Sequence, residues 1–245
     1  MSSPIRGFFR YICRLLTGKT GSKKSKIRIL SVGVGNSRKF GSCPGACMDA
    51  SSILDKVDAG RKVLLLDRQA TRSSVLNELR EGVSGTDDDG LFVFFFSGHG
   101  GQVRSSDKSE TDGKDETLCL WDGELVDNQI WSVLQSARCR VFMVTDCCNS
   151  GTNYMVAGPF RVLELSRLQA RGSSSPRLLH WGGCGDGAYS YGDDTGGVMT
   201  NAILKLVGKG FSYKRAFDRV FSACKGSQTP SIACIGFDQD VELFK

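Results

Sequence analysis

Two strongly apolar runs, Leu91–Phe96 and Val141–Thr145, constrain this chain more than anything else in it. Both are short and rich in β-branched and aromatic residues. Neither alternates with polar positions, which is the pattern of strands buried on both faces of a parallel sheet. Each run ends in a glycine-containing turn. The first gives Ser97-Gly98-His99-Gly100 and the second gives Asp146-Cys147-Cys148-Asn149-Ser150-Gly151. Open α/β sheets bind their ligands beyond the carboxyl ends of the strands, so the pattern sets an imidazole and a thiol at one sheet edge. A Cys–His pair is the minimum equipment for nucleophilic catalysis, in which a thiolate attacks and an imidazole returns a proton to the leaving group.

The rest of the chain supports that placement. β-rich runs at Ile27–Val34, Lys62–Leu66, Thr117–Trp121, Leu178–Trp181 and Ser231–Phe237 join the two above. Between them lie helical patterns at about residues 45–57, 70–80, 127–136, 197–207 and 212–224. Such alternation predicts an α/β fold with a mostly parallel central β-sheet flanked by helices on both faces. Ser105–Glu116 reads as an acidic loop and Arg161–Pro176 as a basic, serine-rich surface loop. The expected organisation is an arm and linker over residues 1–26 and a catalytic domain over 27–245. Within the domain, a larger part spans about 27–160, a loop 161–176, and a smaller part about 177–245.

Charge is unevenly distributed. The first acidic residue is Asp49, and residues 1–48 carry ten of the 32 Lys/Arg. The remaining 22 face 26 Asp/Glu, so the body is mildly acidic despite the overall charge of +6. Nucleic-acid binding by the core is therefore not expected. Ser3-Pro4 suits a helix start, Ile5, Phe8, Phe9, Ile12, Leu15 and Leu16 recur at helical spacing, and Arg6, Arg10 and Arg14 repeat every four residues. A basic amphipathic helix over residues 4–17 would suit peripheral contact with an anionic membrane, organelle targeting, or packing on the domain. Gly18–Lys26 reads as a basic linker, and its Gly-Lys-Thr lacks the earlier glycine of a phosphate-binding loop. The ten cysteines are scattered without paired zinc-type spacing, which favours free thiols in a reduced, cytoplasmic setting.

The two turns and their surroundings resemble the metacaspases, caspase-like cysteine proteases whose signatures are Ser-Gly-His-Gly and Asp-x-Cys-His-Ser-Gly. Gly45-Ala46-Cys47-Met48-Asp49-Ala50 is similar to a further family motif, Glu110–Thr117 to its acidic loop, and Gly183-Cys184-Gly185-Asp186 to the start of its substrate loop. Gly197-Val198-Met199-Thr200 and Gln228-Thr229-Pro230 resemble later landmarks, so the resemblance runs over about residues 27–240. It implies Cys148, not Cys147, as nucleophile and His99 as general acid and base, with the Gly100 and Cys148 N–H groups as oxyanion donors. It also implies that Asp49, Asp146 and Ser97 line the pocket for the residue before the cut. Paired carboxylates suit a guanidinium or ammonium, so cleavage after Arg or Lys is expected, with self-cleavage in the arginine-containing loop. A monomer is expected on the same ground.

The chemistry requires no cofactor. Calcium is the activator that the resemblance implies, with Asp112, Asp115 and Asp127 as the candidate ligands. That ligand set is thin, because Asn128 stands where relatives carry a second aspartate and residues 153–160 hold no acid. Asn149 likewise replaces the family histidine after the nucleophile. A catalytically silent scaffold with a partner- or membrane-binding N-terminus is the alternative, and an Asp-specific enzyme is a third. His180, inside a strand-like run, reads as structural.

Overall fold

The computed structural model describes residues 25–104, 114–148, 150, 176–185 and 188–245. The expected N-terminal helix, Asp112, Asn149 and most of the basic loop lie outside these residues. The centre is a six-stranded sheet built from β1 (Ile27–Gly33), β2 (Arg61–Leu66), β3 (Leu91–Ser97), β7 (Arg140–Asp146), β8 (Arg177–Gly182) and β9 (Ser231–Ile235). Its spatial order is β9-β8-β7-β3-β1-β2. All neighbours are parallel except β8 and β9.

Side-chain alternation divides the core in two. Leu30, Val32, Phe92, Phe94, Phe96 and Met143 face helices α2 (Arg72–Gly85) and α3 (Asp127–Leu134). Ile29, Val93, Phe95, Phe142, Val144 and Trp181 face α1 (Ala46–Lys56), α4 (Val198–Leu204) and α5 (Tyr213–Cys224). Every residue of β3 is buried, which is why its sequence shows no polar alternation. Helix α2 runs past the expected end because Gly82 lies against the Phe92 ring, where a Cβ would come within 2.1 Å of the aromatic carbon.

A second sheet departs from expectation. β4 (Gly100–Arg104), β5 (Lys114–Leu120) and β6 (Gly123–Val126) form an antiparallel meander. The acidic segment expected as loop through Glu116 thus enters strand β5 at Lys114. Glu116 is buried, and its carboxylate accepts a hydrogen bond from Gln102 across the ladder at 3.0 Å. Local acidity concealed a strand whose polar groups are satisfied by cross-strand partners. Among the described residues no helix is long and apolar enough to cross a membrane.

Candidate active site

Ser97 and Asp146 sit opposite each other at the ends of adjacent strands β3 and β7, so the two turns leave the sheet side by side. The turns touch. A Cβ on Gly100 would lie 2.0 Å from the carbonyl oxygen of Cys148, a distance no side chain tolerates, so glycine is needed for this approach. Together they form one wall of a cavity of about 270 Å³, lined by Ser42, Cys43, Asp49, Ser97, His99, Asp146, Cys148, Ser190, Tyr191 and Gly197 among others.

His99 is half-buried, and its Nε2 lies 3.0 Å from the carbonyl oxygen of Ser42. A carbonyl can only accept, so Nε2 carries the proton and Nδ1 is left as the basic nitrogen. The tandem cysteines separate by burial. Cys147 is 2% exposed and packs in the core with Leu118 and Met143, and burial holds its thiol well above the ordinary range. Cys148 is half-buried, and its Sγ lies 3.9 Å from the Ser190 carbonyl. A third thiol, Cys43, is pushed up to about 11 by burial and by the nearby Asp49 and Asp146 carboxylates. Strongly raised thiols are poor nucleophiles at neutral pH. Among the described residues no cysteine is disulfide-bonded.

Two buried carboxylates line the cavity. Asp49, 2% exposed in the first turn of α1, accepts from the Ser97 hydroxyl at 2.8 Å and from the Gly197 N–H at 2.9 Å. Asp146 accepts from the Ser190 hydroxyl at 2.6 Å on one oxygen, and from the Thr200 N–H and hydroxyl at 2.9 and 2.7 Å on the other. Burial raises Asp49 to about 6, the Gly197 and Ser97 hydrogen bonds oppose that rise, and Asp146 adds to it. Neither carboxylate takes part in a salt bridge among the described residues. All their partners are neutral donors, so the pocket carries negative charge with no protein cation to match it among those residues. Gly197 permits this closeness, since a Cβ there would come within 2.1 Å of Asp146 Oδ2.

The expected site residues His99, Gly100, Cys148, Asp49, Ser97 and Asp146 therefore meet in one place. Ser42, Ser190, Thr200 and Gln228 join them without having been singled out for a role in it. Ser42 contributes through its backbone, which no residue type signals. Ser190 and Gln228 lay within or beside recognised landmarks and became legible only through their contacts.

The candidate calcium ligands are arranged differently. Asp115 in β5 accepts from the Asn128 side chain at 3.3 Å, and Asp127 accepts from the Asn128 N–H at 2.7 Å. Both are buried. Among the described residues no three His, Cys, Asp or Glu side chains converge as a metal site. Calcium takes six to eight oxygens, and Asp112, the third candidate ligand, lies outside the described residues. His180 is fully buried in β8, its Nε2 2.8 Å from the Thr145 hydroxyl, and burial lowers it to about 3. It is a neutral structural histidine outside the cavity.

The family described as metacaspase, peptidase C14 domain, matches residues 46–156. Metacaspase-1 of Pyricularia oryzae is 31% identical over 163 residues, covering 62% of this chain and 39% of its own. Metacaspase-3 of Arabidopsis thaliana is 35% identical over 92 residues, 35% of this chain and 25% of its own. The chain thus spans less than two fifths of these curated relatives. A crystal structure of a Geobacter sulfurreducens protein superimposes with a TM-score of 0.72 at 24% identity, over 90% of this chain and 98% of that one. Caspase-1 from Spodoptera frugiperda gives 0.59 at 11% identity, over 90% and 93%. The fold is thus caspase-like, and over residues 46–156 the chain is similar to the metacaspase family of cysteine peptidases.

Proposed function

We propose that this chain is a cysteine endopeptidase that cleaves peptide bonds after arginine or lysine. One observation carries the reading: two buried carboxylates, Asp49 and Asp146, without a salt-bridge partner among the described residues, line the cavity that His99 and Cys148 also line. A guanidinium or ammonium entering there supplies the missing positive charge and forms charge-assisted hydrogen bonds. An aspartate side chain would meet two like charges.

In the proposed reaction the Cys148 thiolate adds to the scissile carbonyl, forming a carbon–sulfur bond and a tetrahedral oxyanion. The N–H groups of Gly100 and Cys148 are the assigned donors to that oxygen. His99 gives a proton to the departing amine as the C–N bond breaks, leaving an acyl-enzyme. Its imidazole then takes a proton from water, hydroxide adds to the thioester, and the thiolate leaves with release of the acid. The Ser42 carbonyl supports this by holding Nε2–H, which aims the ring. No step runs through calcium. Calcium modulation, self-cleavage in the basic loop and membrane contact by residues 4–17 belong to the same proposal as regulatory features.

The test is hydrolysis of fluorogenic peptides ending in Arg, Lys or Asp, with and without millimolar calcium. Turnover of the Arg and Lys peptides, lost in Cys148→Ala, supports the reading. Silence on every peptide, also after limited proteolysis, refutes it in favour of a catalytically silent scaffold. Turnover confined to the Asp peptide refutes the specificity.

A further inference from the structure

The Gln-Thr-Pro landmark plays no part in the chemistry above, yet its first residue holds two residues that line the pocket, Ser190 and Tyr191. Gln228 is buried in the segment between α5 and β9. Its Nε2 donates to the Gly183 carbonyl at 2.8 Å and to the Ser190 hydroxyl at 3.0 Å, and its Oε1 accepts from the Tyr191 N–H at 2.9 Å. These partners fix the amide's orientation, because the Gly183 carbonyl can only accept and the Tyr191 N–H can only donate. The Ser190 hydroxyl in turn donates to Asp146 at 2.6 Å, while the Ser190 carbonyl lies 3.9 Å from Cys148 Sγ. One serine thus touches both the carboxylate assigned to substrate recognition and the thiol assigned to attack.

Resting on the proteolytic reading, we propose that Gln228 is a positioning residue acting through Ser190. It ties Gly183, at the start of the segment that resembles a substrate loop, to Ser190 and Tyr191. By occupying the Ser190 oxygen as donor, it leaves the hydroxyl proton no direction but Asp146. The result is an Asp146 carboxylate held in one orientation and a Ser190 carbonyl held against Cys148. A residue in the last fifth of the chain thereby sets the relation between recognition and attack.

Gln228→Glu keeps size and shape and removes the donor. Ionised, it turns a lone pair toward the Gly183 carbonyl and the Ser190 oxygen; protonated, it regains one O–H. The expected result is a loss of at least tenfold in kcat/KM for the Arg peptide at pH 8, relative to wild type. That ratio should recover severalfold between pH 8 and pH 6. Gln228→Ala should show the loss without the recovery, at a melting temperature within a few degrees of wild type. A second readout needs no turnover: the rate of Cys148 alkylation by iodoacetamide, followed on its own peptide by mass spectrometry. It should rise severalfold in Gln228→Ala, as the carbonyl that holds the thiol in place is released. Wild-type ratios at every pH, or a loss in Gln228→Glu that does not change with pH, would overturn the proposal. If the wild type cleaves no peptide, the proteolytic reading fails on its own. An unchanged Cys148 alkylation rate would then overturn the positioning role separately.

Discussion

Replacing Asp49 by Asn should make the folded protein more stable while removing its use. Asp49 is 2% exposed, and burial raises its pKa from 3.8 to about 6. A tenfold change in proton affinity is worth about 1.4 kcal/mol, so holding this carboxylate ionised at pH 7 costs the fold about 3 kcal/mol. Between these two values the folded state binds more protons than the unfolded state. The penalty is therefore absent below about pH 4, grows as pH rises, and is complete above about pH 6. An Asn side-chain oxygen can still accept from Ser97 and Gly197, so the hydrogen bonds survive and the desolvated charge does not. Urea denaturation at pH 7, 5 and 4 measures this directly. The variant should gain about 2–3 kcal/mol at pH 7 and nothing at pH 4. Arg-peptide kcat/KM should fall by about a hundredfold or more, the expected scale for losing one partner of a buried charge pair. A variant less stable than wild type at pH 7, or a difference independent of pH, would refute the electrostatic account of the pocket.

Cys148→Ala should abolish turnover to the peptide background, whereas Cys147→Ala should retain it while losing about 1–2 kcal/mol in a denaturant melt, the scale for truncating a buried side chain of this size. Gly100→Ala forces a methyl to within 2.0 Å of the Cys148 carbonyl. Displacing the two turns should cut kcat by about a hundredfold, measured at saturating substrate. His180, lowered by burial to about 3 from 6.5, makes the unfolded state the better proton binder between those values. Stability should fall as pH drops from 6.5, by about 3 kcal/mol at pH 4 relative to His180→Gln, read from paired urea melts. Equal acid sensitivity in the two proteins would refute that assignment.

The central sheet was legible because its strands are buried on both faces, so that hydrophobic runs such as Leu91–Phe96 and Val141–Thr145 stand out without ambiguity. Their boundaries match β3 and β7 closely for the same reason: Ser97 and Asp146 are the last sheet positions before glycine-containing turns. The meander β4–β6 was not legible. Its strands mix glycine, acidic and apolar residues, and its stability comes from pairing partners well apart in the chain, such as Gln102 with Glu116. Helix α2 overran its expected end because the glycine at position 82 is there for packing against Phe92. The cavity was legible where side-chain chemistry is rare, as with His99, one of only two histidines. It was opaque where the contribution is a carbonyl or a common hydroxyl, as with Ser42 and Ser190.

That division has a physical cause, and it bears on what holds the site together. The groups assigned to the reaction sit on two adjacent turns, but what fixes them comes from segments far apart in sequence. Ser42 holds His99, the Gly197 N–H holds Asp49, Thr200 and Ser190 hold Asp146, and Gln228 holds Ser190. Most of these supports come from the part of the chain beyond Arg177. A buried carboxylate stripped of donors is among the costliest groups a fold can contain. Asp146 therefore cannot take its place until that C-terminal part has docked and Thr200 and Ser190 have reached it. Docking of residues 177–245 and assembly of the proposed cation-binding pocket are thus one event, because the same four hydrogen bonds from Gly197, Ser190 and Thr200 to Asp49 and Asp146 serve both.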